Sequence, residues 1–185
     1  MQLVHAIERC IAGDRSAYQQ VVAAHADGVV RLLRRLLGDA EDARDIAQET
    51  FVRAYQNLHR FDRRRPLKPW LLRIARNLAY NHLKRQQRRA ESRATADGHE
   101  RLERIAAEQL SPVAAVLEQE RQSALDQVLA TLRPEFREVL LYRYMERLDY
   151  DEIAEVMGVP VGTVKTWLFR AKSQFRQRAA GREIF

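Results

Sequence analysis

DYDEIAEVMGVPVGTVKTWLFRAKSQFR, Asp149 to Arg176, reads as two short helices around a tight corner. Asp149 is placed to cap the first helix, with Glu152 three residues on as its partner in a capping box. Ile153, Ala154 and Met157 fall on one face. Gly158 follows where a helix end favours a left-handed residue. Val159-Pro160 turns the chain, and Val161, Val164 and Leu168 give the second helix its buried side. A small Ala154, a Gly four residues later and a Val at 164 make the packing pattern of a helix-turn-helix. The face left over carries Thr163, Lys165, Thr166, Phe169, Arg170 and Ser173, short polar groups and cations that suit a major groove. The competing reading is an ordinary helical hairpin with a solvated basic face.

The rest of the chain bounds the choice. Its 185 residues suffice for one domain or two small ones. A formal charge of +7 and a pI near 10.0 favour a polyanionic partner. Cys10 is the only cysteine, so neither an internal disulfide nor a zinc site of Cys/His spacing can form. It shares the apolar side of an N-terminal helix with Leu3, Ile7 and Ile11, and burial is expected. No apolar run reaches membrane-spanning length, and MQLVHAIERC lacks the layout of a signal peptide. The expected compartment is the cytoplasm, or the nucleoid within it. No metal or cofactor is expected.

Almost every stretch has helical periodicity and none alternates as a strand, so the expected fold is all-α. Leu3 to Ile11 ends at Gly13-Asp14. Ala17, Tyr18, Val21, Val22 and His25 share the next face, Asp27-Gly28 is a candidate break, and Val29, Leu32, Leu33, Leu36 and Leu37 follow to Gly38. DAEDARDIAQETFVRAYQNL, Asp39 to Leu58, has a capping Asp39 and acids in its first turn, where the helix dipole favours them. Ala43, Ile46, Ala47, Thr50, Phe51, Ala54 and Leu58 form its stripe for burial. The opposite face is Asp45, Gln48, Glu49, Val52 and Gln56. An acidic face around a central valine is out of keeping with so basic a chain, and it suits docking to a basic protein as well as a solvated helix back.

From His59 the charge reverses. Between Asp62 and Glu91 there is no acid. Pro66 and Pro69 stiffen the loop. Trp70, Leu71, Ile74, Leu78 and Leu83 are the apolar positions of the next helix, and Trp70, in phase with Ile74, is expected in the core. Arg73, Arg76, Asn77, Asn81, Lys84, Arg85, Arg88 and Arg89 lie largely opposite. Cations with interleaved Asn suit a phosphate backbone with some base contact. A merely solvated face would mix in acids. Ala90 to Leu110 has weak periodicity and reads as a linker. The expected units are therefore 1–89 and 111–180, two small helical domains joined by a flexible 90–110 segment. Ser111-Pro112 restarts structure, Val113 to Leu132 continues an apolar seam, and Pro134 opens the helix before the helix-turn-helix.

This arrangement resembles a bacterial sigma factor of the extracytoplasmic-function (ECF) type, over about Gly13 to Arg89 and Ser111 to Arg178. DAEDARDIAQETFVRAY is similar to the family's second conserved region, and PWLLRIARNLAYNHLKR to the helix that reads the −10 element. LRPEFREVLLYRYMERLDYDEIAEVMGVPVGTVKTWLFRAK is similar to the fourth region. The resemblance implies that Asp45, Gln48, Glu49, Val52 and Gln56 grip the β′ clamp helices of core RNA polymerase. It implies that the loop of Arg60, Phe61, Arg63, Arg64 and Arg65 captures a flipped −10 base. Arg73, Arg76, Asn77, Asn81, Lys84 and Arg85 would hold the melted strand and the duplex upstream. The second unit would sit on the β flap, with Thr163, Lys165, Thr166, Phe169, Arg170 and Ser173 at the −35 element. The chain departs from the family at RRRPLKP, where a Gly/Ser-rich loop is common, at Asn81, where Asp is frequent, and at Trp167, where a small or basic residue is frequent. Control by a separate anti-sigma factor is a further implication of the family.

Two other classes compete. A stand-alone helix-turn-helix regulator accounts for Asp149 to Arg176 but leaves Asp39 to Arg89 without a role. A nucleic-acid enzyme needs a carboxylate pair, a metal cluster, a Gly-rich phosphate loop or a nucleophile beside a base, and no such group stands at a workable spacing. His59 and His82 flank the basic segment, where lone histidines are more often surface or DNA-contacting groups than catalysts.

Overall fold

The computed structural model describes residues 2–94 and 114–180. All regular structure among them is helical. The chain divides into two compact units, with the boundary inside 95–113.

The N-terminal unit is built from α1 (Gln2–Ile11), α2 (Tyr18–Leu37), α3 (Ala40–Asn57) and α4 (Leu67–Ala94). Gly13, at φ 103°, lets the chain leave α1. Asp14 then caps the 3-10 turn Arg15–Ala17 through the amides of Ser16 and Ala17. The Ser16 hydroxyl and the Arg9 guanidinium hold its carboxyl down at about 2. This tie persists at neutral pH and is lost as pH falls from the ordinary carboxylate value through about 2. α2 passes through Asp27-Gly28 without a break. A helical Gly costs about 1 kcal/mol relative to Ala. Burial of Val21, Val29, Leu32 and Leu33 on either side outweighs that. Gly38 closes the helix at φ 78°, and Asp39 starts α3 by accepting from the amides of Glu41 and Asp42.

α3 buries Ala43, Ile46, Ala47, Thr50, Phe51 and Ala54 against α2 and α4. The Thr50 hydroxyl is satisfied by donating to the Ile46 carbonyl at 2.7 Å. Tyr18 crosses from α2 to donate to the Phe51 carbonyl at 2.8 Å, and burial pushes its phenol pKa up. Cys10 is buried, and desolvation raises its thiol pKa too. α4 starts three residues earlier than the sequence suggests. Pro69 therefore lies in its first turn, where an amide has no helical partner to lose. At the other end α4 runs on from Arg89 to Ala94. The remainder of the expected linker, Ser111-Pro112 and Val113 all fall outside the described residues.

The C-terminal unit comprises α5 (Ala114–Thr131), α6 (Pro134–Leu140), α7 (Tyr150–Met157) and α8 (Val161–Ala179), with a π-helical turn at Leu141–Met145. α8 packs on α5, α6 and α7. Val164, Leu168, Ala171 and Ala179 are its buried residues, and Val139 of α6 and Ile153 and Val156 of α7 are buried as well. Both sides of the capping box form: Glu152 N–H donates to Asp149 at 2.8 Å, and Asp149 N–H donates to Glu152 at 2.8 Å. Gly158 adopts φ 68°, and its amide returns to the Ala154 carbonyl at 2.8 Å. Asp149→Ala is expected to lower the stability of this unit by about 1 kcal/mol through the lost cap. Gly158→Ala should cost a similar ~1–2 kcal/mol by forcing a Cβ into left-handed backbone. Urea denaturation read on the C-terminal transition checks both, and unchanged midpoints would mean the corner is not set by these two residues.

Candidate functional site

Burial of one stripe of α3 decides what its other side presents. Asp45, Gln48, Glu49, Val52 and Gln56 all emerge exposed on one face, as the helical spacing requires. Val52 is 49% exposed at its centre, a large apolar group that the unit itself does not cover. The face borders an open depression lined also by Arg53 and Asn57. Arg53 lies outside the set expected from sequence. Its Nε donates to Glu49 Oε1 at 2.7 Å, an i, i+4 pair that spacing alone could have flagged. Asp45 makes no such pair among the described residues and carries the free negative charge of the patch.

The loop after α3 splits the residues expected to act together. Arg60, Arg63, Arg64 and Arg65 are exposed, whereas Phe61 is only 8% exposed. Phe61 is a correction to the expected DNA-contacting set: its ring packs against Trp70 with centroids 5.1 Å apart. Trp70, expected in the core, is only half-buried there, as is Ile74 with which it is in phase. Asp62 organises the turn, accepting from the Arg64 amide at 3.1 Å and lying 3.9 Å from Arg65 Nε. Arg63 lies 3.9 Å from Glu8 of α1. The arginine run is thus partly compensated from within, and the loop is anchored by an aromatic plug.

On α4 the exposed side carries Arg73, Asn77, Asn81, Lys84 and Arg85. Arg76 is half-buried, and its guanidinium lies 4.7 Å over the ring of Tyr80, a residue absent from the expected set. Arg85 Nε donates to the Asn81 carbonyl at 3.2 Å and leaves the Asn81 amide group facing outward from an exposed position. At the buried edge Asp42, in the first turn of α3, meets His82 Nε2 at 3.0 Å and accepts from Gln86 at 2.9 Å. His82 is half-buried with its ring against the Asp42 carboxylate, not a free surface group.

In the C-terminal unit, Lys165, Thr166, Phe169, Arg170 and Ser173 are exposed on α8 and Thr163 is half-buried. Phe169 is 77% exposed, and α8 contains no acidic residue. The Thr166 hydroxyl donates back to the Gly162 carbonyl at 3.0 Å, which turns its methyl into the group on offer. Trp167 is half-buried. No helix of the described residues is long and apolar enough to cross a membrane, and no group of three or more His, Cys, Asp or Glu among them could hold a metal ion.

A helix-turn-helix with an acid-free second helix has the form of a DNA-binding module. Residues 21–89 match the family model for sigma-70 region 2, and residues 122–175 match that for sigma-70 region 4. The chain belongs to the sigma-70 family of RNA polymerase sigma factors, and several of its relatives are ECF sigma factors. It is 33% identical over 181 residues to the ECF RNA polymerase sigma factor SigW of Bacillus subtilis, covering 96% of this chain and 97% of that one. It is 37% identical over 169 residues to the RNA polymerase sigma-H factor of Pseudomonas aeruginosa, covering 90% and 88%. Among solved structures it is similar to CnrH in the complex with the cytosolic domain of CnrY, with TM-score 0.73 at 23% identity over 99% of this chain and 100% of that chain. It is also similar to the sigma factor RpoE of Bartonella quintana, solved with the anti-sigma factor NepR. That match has TM-score 0.72 at 19% identity over 90% of this chain and 98% of that chain.

If Phe61 is a core plug, Phe61→Ala should destabilise the N-terminal unit by about 3–5 kcal/mol. Arg64→Ala, on the exposed side of the same loop, should stay within about 0.5 kcal/mol of the parent. Denaturant unfolding of both variants checks this, and equal midpoints would return Phe61 to the surface.

Proposed function

We propose that this sigma factor docks on core RNA polymerase through the Asp45, Gln48, Glu49, Val52 and Gln56 face of α3, against the β′ clamp helices. Domain 1–89 also handles the −10 element, the 90–110 segment serves as a linker, and domain 111–180 sits on the β flap. Arg60, Arg63, Arg64 and Arg65 of the loop, with Arg73, Arg76, Asn77, Asn81, Lys84 and Arg85 of α4, hold the melted −10 strand and the adjoining duplex. Thr163, Lys165, Thr166, Phe169, Arg170 and Ser173 read the −35 element. Lys165 and Arg170 reach guanine edges or phosphates, and the Thr166 methyl and Phe169 ring touch thymine methyls. The protein works in the cytoplasm by binding and positioning, not by catalysis. Control by an anti-sigma factor is supported, at the level of shared fold, by the similar RpoE of Bartonella quintana, which was solved in complex with the anti-sigma factor NepR.

The observation that carries this reading is the pairing, within one small unit, of an acidic face around a half-exposed Val52 with an exposed cationic side of α4. A stand-alone DNA binder has no use for the first, and a protein-docking module has no use for the second. The test is co-purification with core polymerase and in vitro transcription. Asp45→Arg combined with Glu49→Arg should abolish association with core while leaving the helical circular dichroism unchanged. Retained association would remove the docking assignment. Arg170→Ala should weaken discrimination among −35 variants by roughly 1–3 kcal/mol. Unaltered discrimination would mean that α8 does not read these bases.

A further inference from the structure

Tyr144 stands on the π-helical turn after α6 and is 57% exposed. Such turns widen the helix by one residue and often occur at functional positions. The turn brings the ring beside α8, where Lys172 Nζ lies 5.6 Å from its centroid. Neither residue has a part in the base-reading set. By helical spacing Lys165, Lys172 and Arg176 stand at i, i+7 and i+11, along one flank of the face centred on Thr166, Phe169 and Ser173. None of these three cations pairs with a carboxylate among the described residues. A surface kept merely soluble would intersperse acids, and α8 has none. An ammonium already settled over an aromatic ring also has less freedom to lose when it meets an anion.

We propose that Tyr144, Lys172 and Arg176 form a sugar-phosphate grip beside the base-reading face of α8, with Tyr144 acting as the positioning residue for the Lys172 ammonium. The occupant is one strand of the −35 duplex. The flank is continuous with the α8 face, its charge is of one sign, and its groups are the kind that set register on a duplex without reading sequence. The proposal rests on the placement of α8 at the −35 element given above.

The test uses holoenzyme assembled from the full chain and core polymerase. Its probe is promoter duplex in which single −35 phosphates are replaced in turn by neutral methylphosphonates. Wild type should lose affinity at one or two of these positions. Lys172→Gln should bind unmodified promoter about fivefold more weakly at 0.15 M salt, the loss expected for one phosphate contact. It should no longer respond to the methylphosphonate at its own phosphate, while its ranking of −35 base-pair variants stays that of wild type. Tyr144→Ala should reproduce this pattern, and Tyr144→Phe, which keeps the ring, should behave as wild type. Retention of the full interference pattern by Lys172→Gln overturns the grip. So does a loss of core binding in place of promoter affinity, which would make the flank a protein contact. A Tyr144→Phe variant as weak as Tyr144→Ala overturns the positioning role. Absence of interference in wild type at every −35 phosphate would instead sink the placement of α8 itself.

Discussion

Each working helix has one apolar stripe, and burying that stripe leaves only one face for partners. In α3 the stripe is made of small and medium groups, Ala43, Ile46, Ala47, Thr50 and Ala54, with Phe51 as the one large member. Close approach to α2 and α4 follows, and the rotation of α3 is fixed within narrow limits. Asp45, Glu49 and Val52 then have nowhere to point but outward. The same constraint acts on α8. Val164, Leu168 and Ala171 settle against the preceding helices, so Phe169 stands 77% exposed although it is among the largest apolar residues of the helix. Function here is largely what remains when packing has been satisfied.

Charge segregation adds the second layer. The N-terminal unit holds an acidic face and a basic face on consecutive helices, which would attract each other if they could meet. They are kept apart because both helices turn their apolar stripes to a shared core. The local exceptions are instructive. Glu49 is paired with Arg53, and the arginine loop is partly balanced by Asp62 and Glu8. Exposed pairs of this kind contribute little to stability. They trim the field of each face, and Asp45, Arg60, Arg64, Arg73 and Lys84 are among the charges with no oppositely charged partner among the described residues.

Features written in local sequence were legible. The Asp39 and Asp149 caps, the left-handed Gly38 and Gly158, and the exposed face of α3 depend only on residues within two turns, and each stands where the sequence places it. The candidate break at Asp27-Gly28 failed because a tertiary gain overrode a local cost. Phe61 was misread because it sits among arginines in sequence, while its partner Trp70 lies across a turn whose shape the sequence does not display. The start of α4 was misplaced because Pro69 reads as a breaker, although a first turn tolerates it. The Asp42–His82–Gln86 contact joins residues more than thirty positions apart, a kind of information that periodicity does not carry.

That contact has a mechanical meaning. Asp42 belongs to the first turn of α3, the helix proposed to dock on polymerase, and its carboxylate meets the middle of α4, the helix proposed to hold DNA. A partner that shifted α3 would strain the Gln86–Asp42 hydrogen bond and the His82 contact, and a strand that pulled on α4 would load the same carboxylate from the other side. Thermodynamic reciprocity then applies: whatever factor core polymerase contributes to the grip on DNA through this joint, DNA returns to the grip on polymerase. Three side chains would make the subunit a two-way transmission, with Asp42 as the tooth that both gears engage.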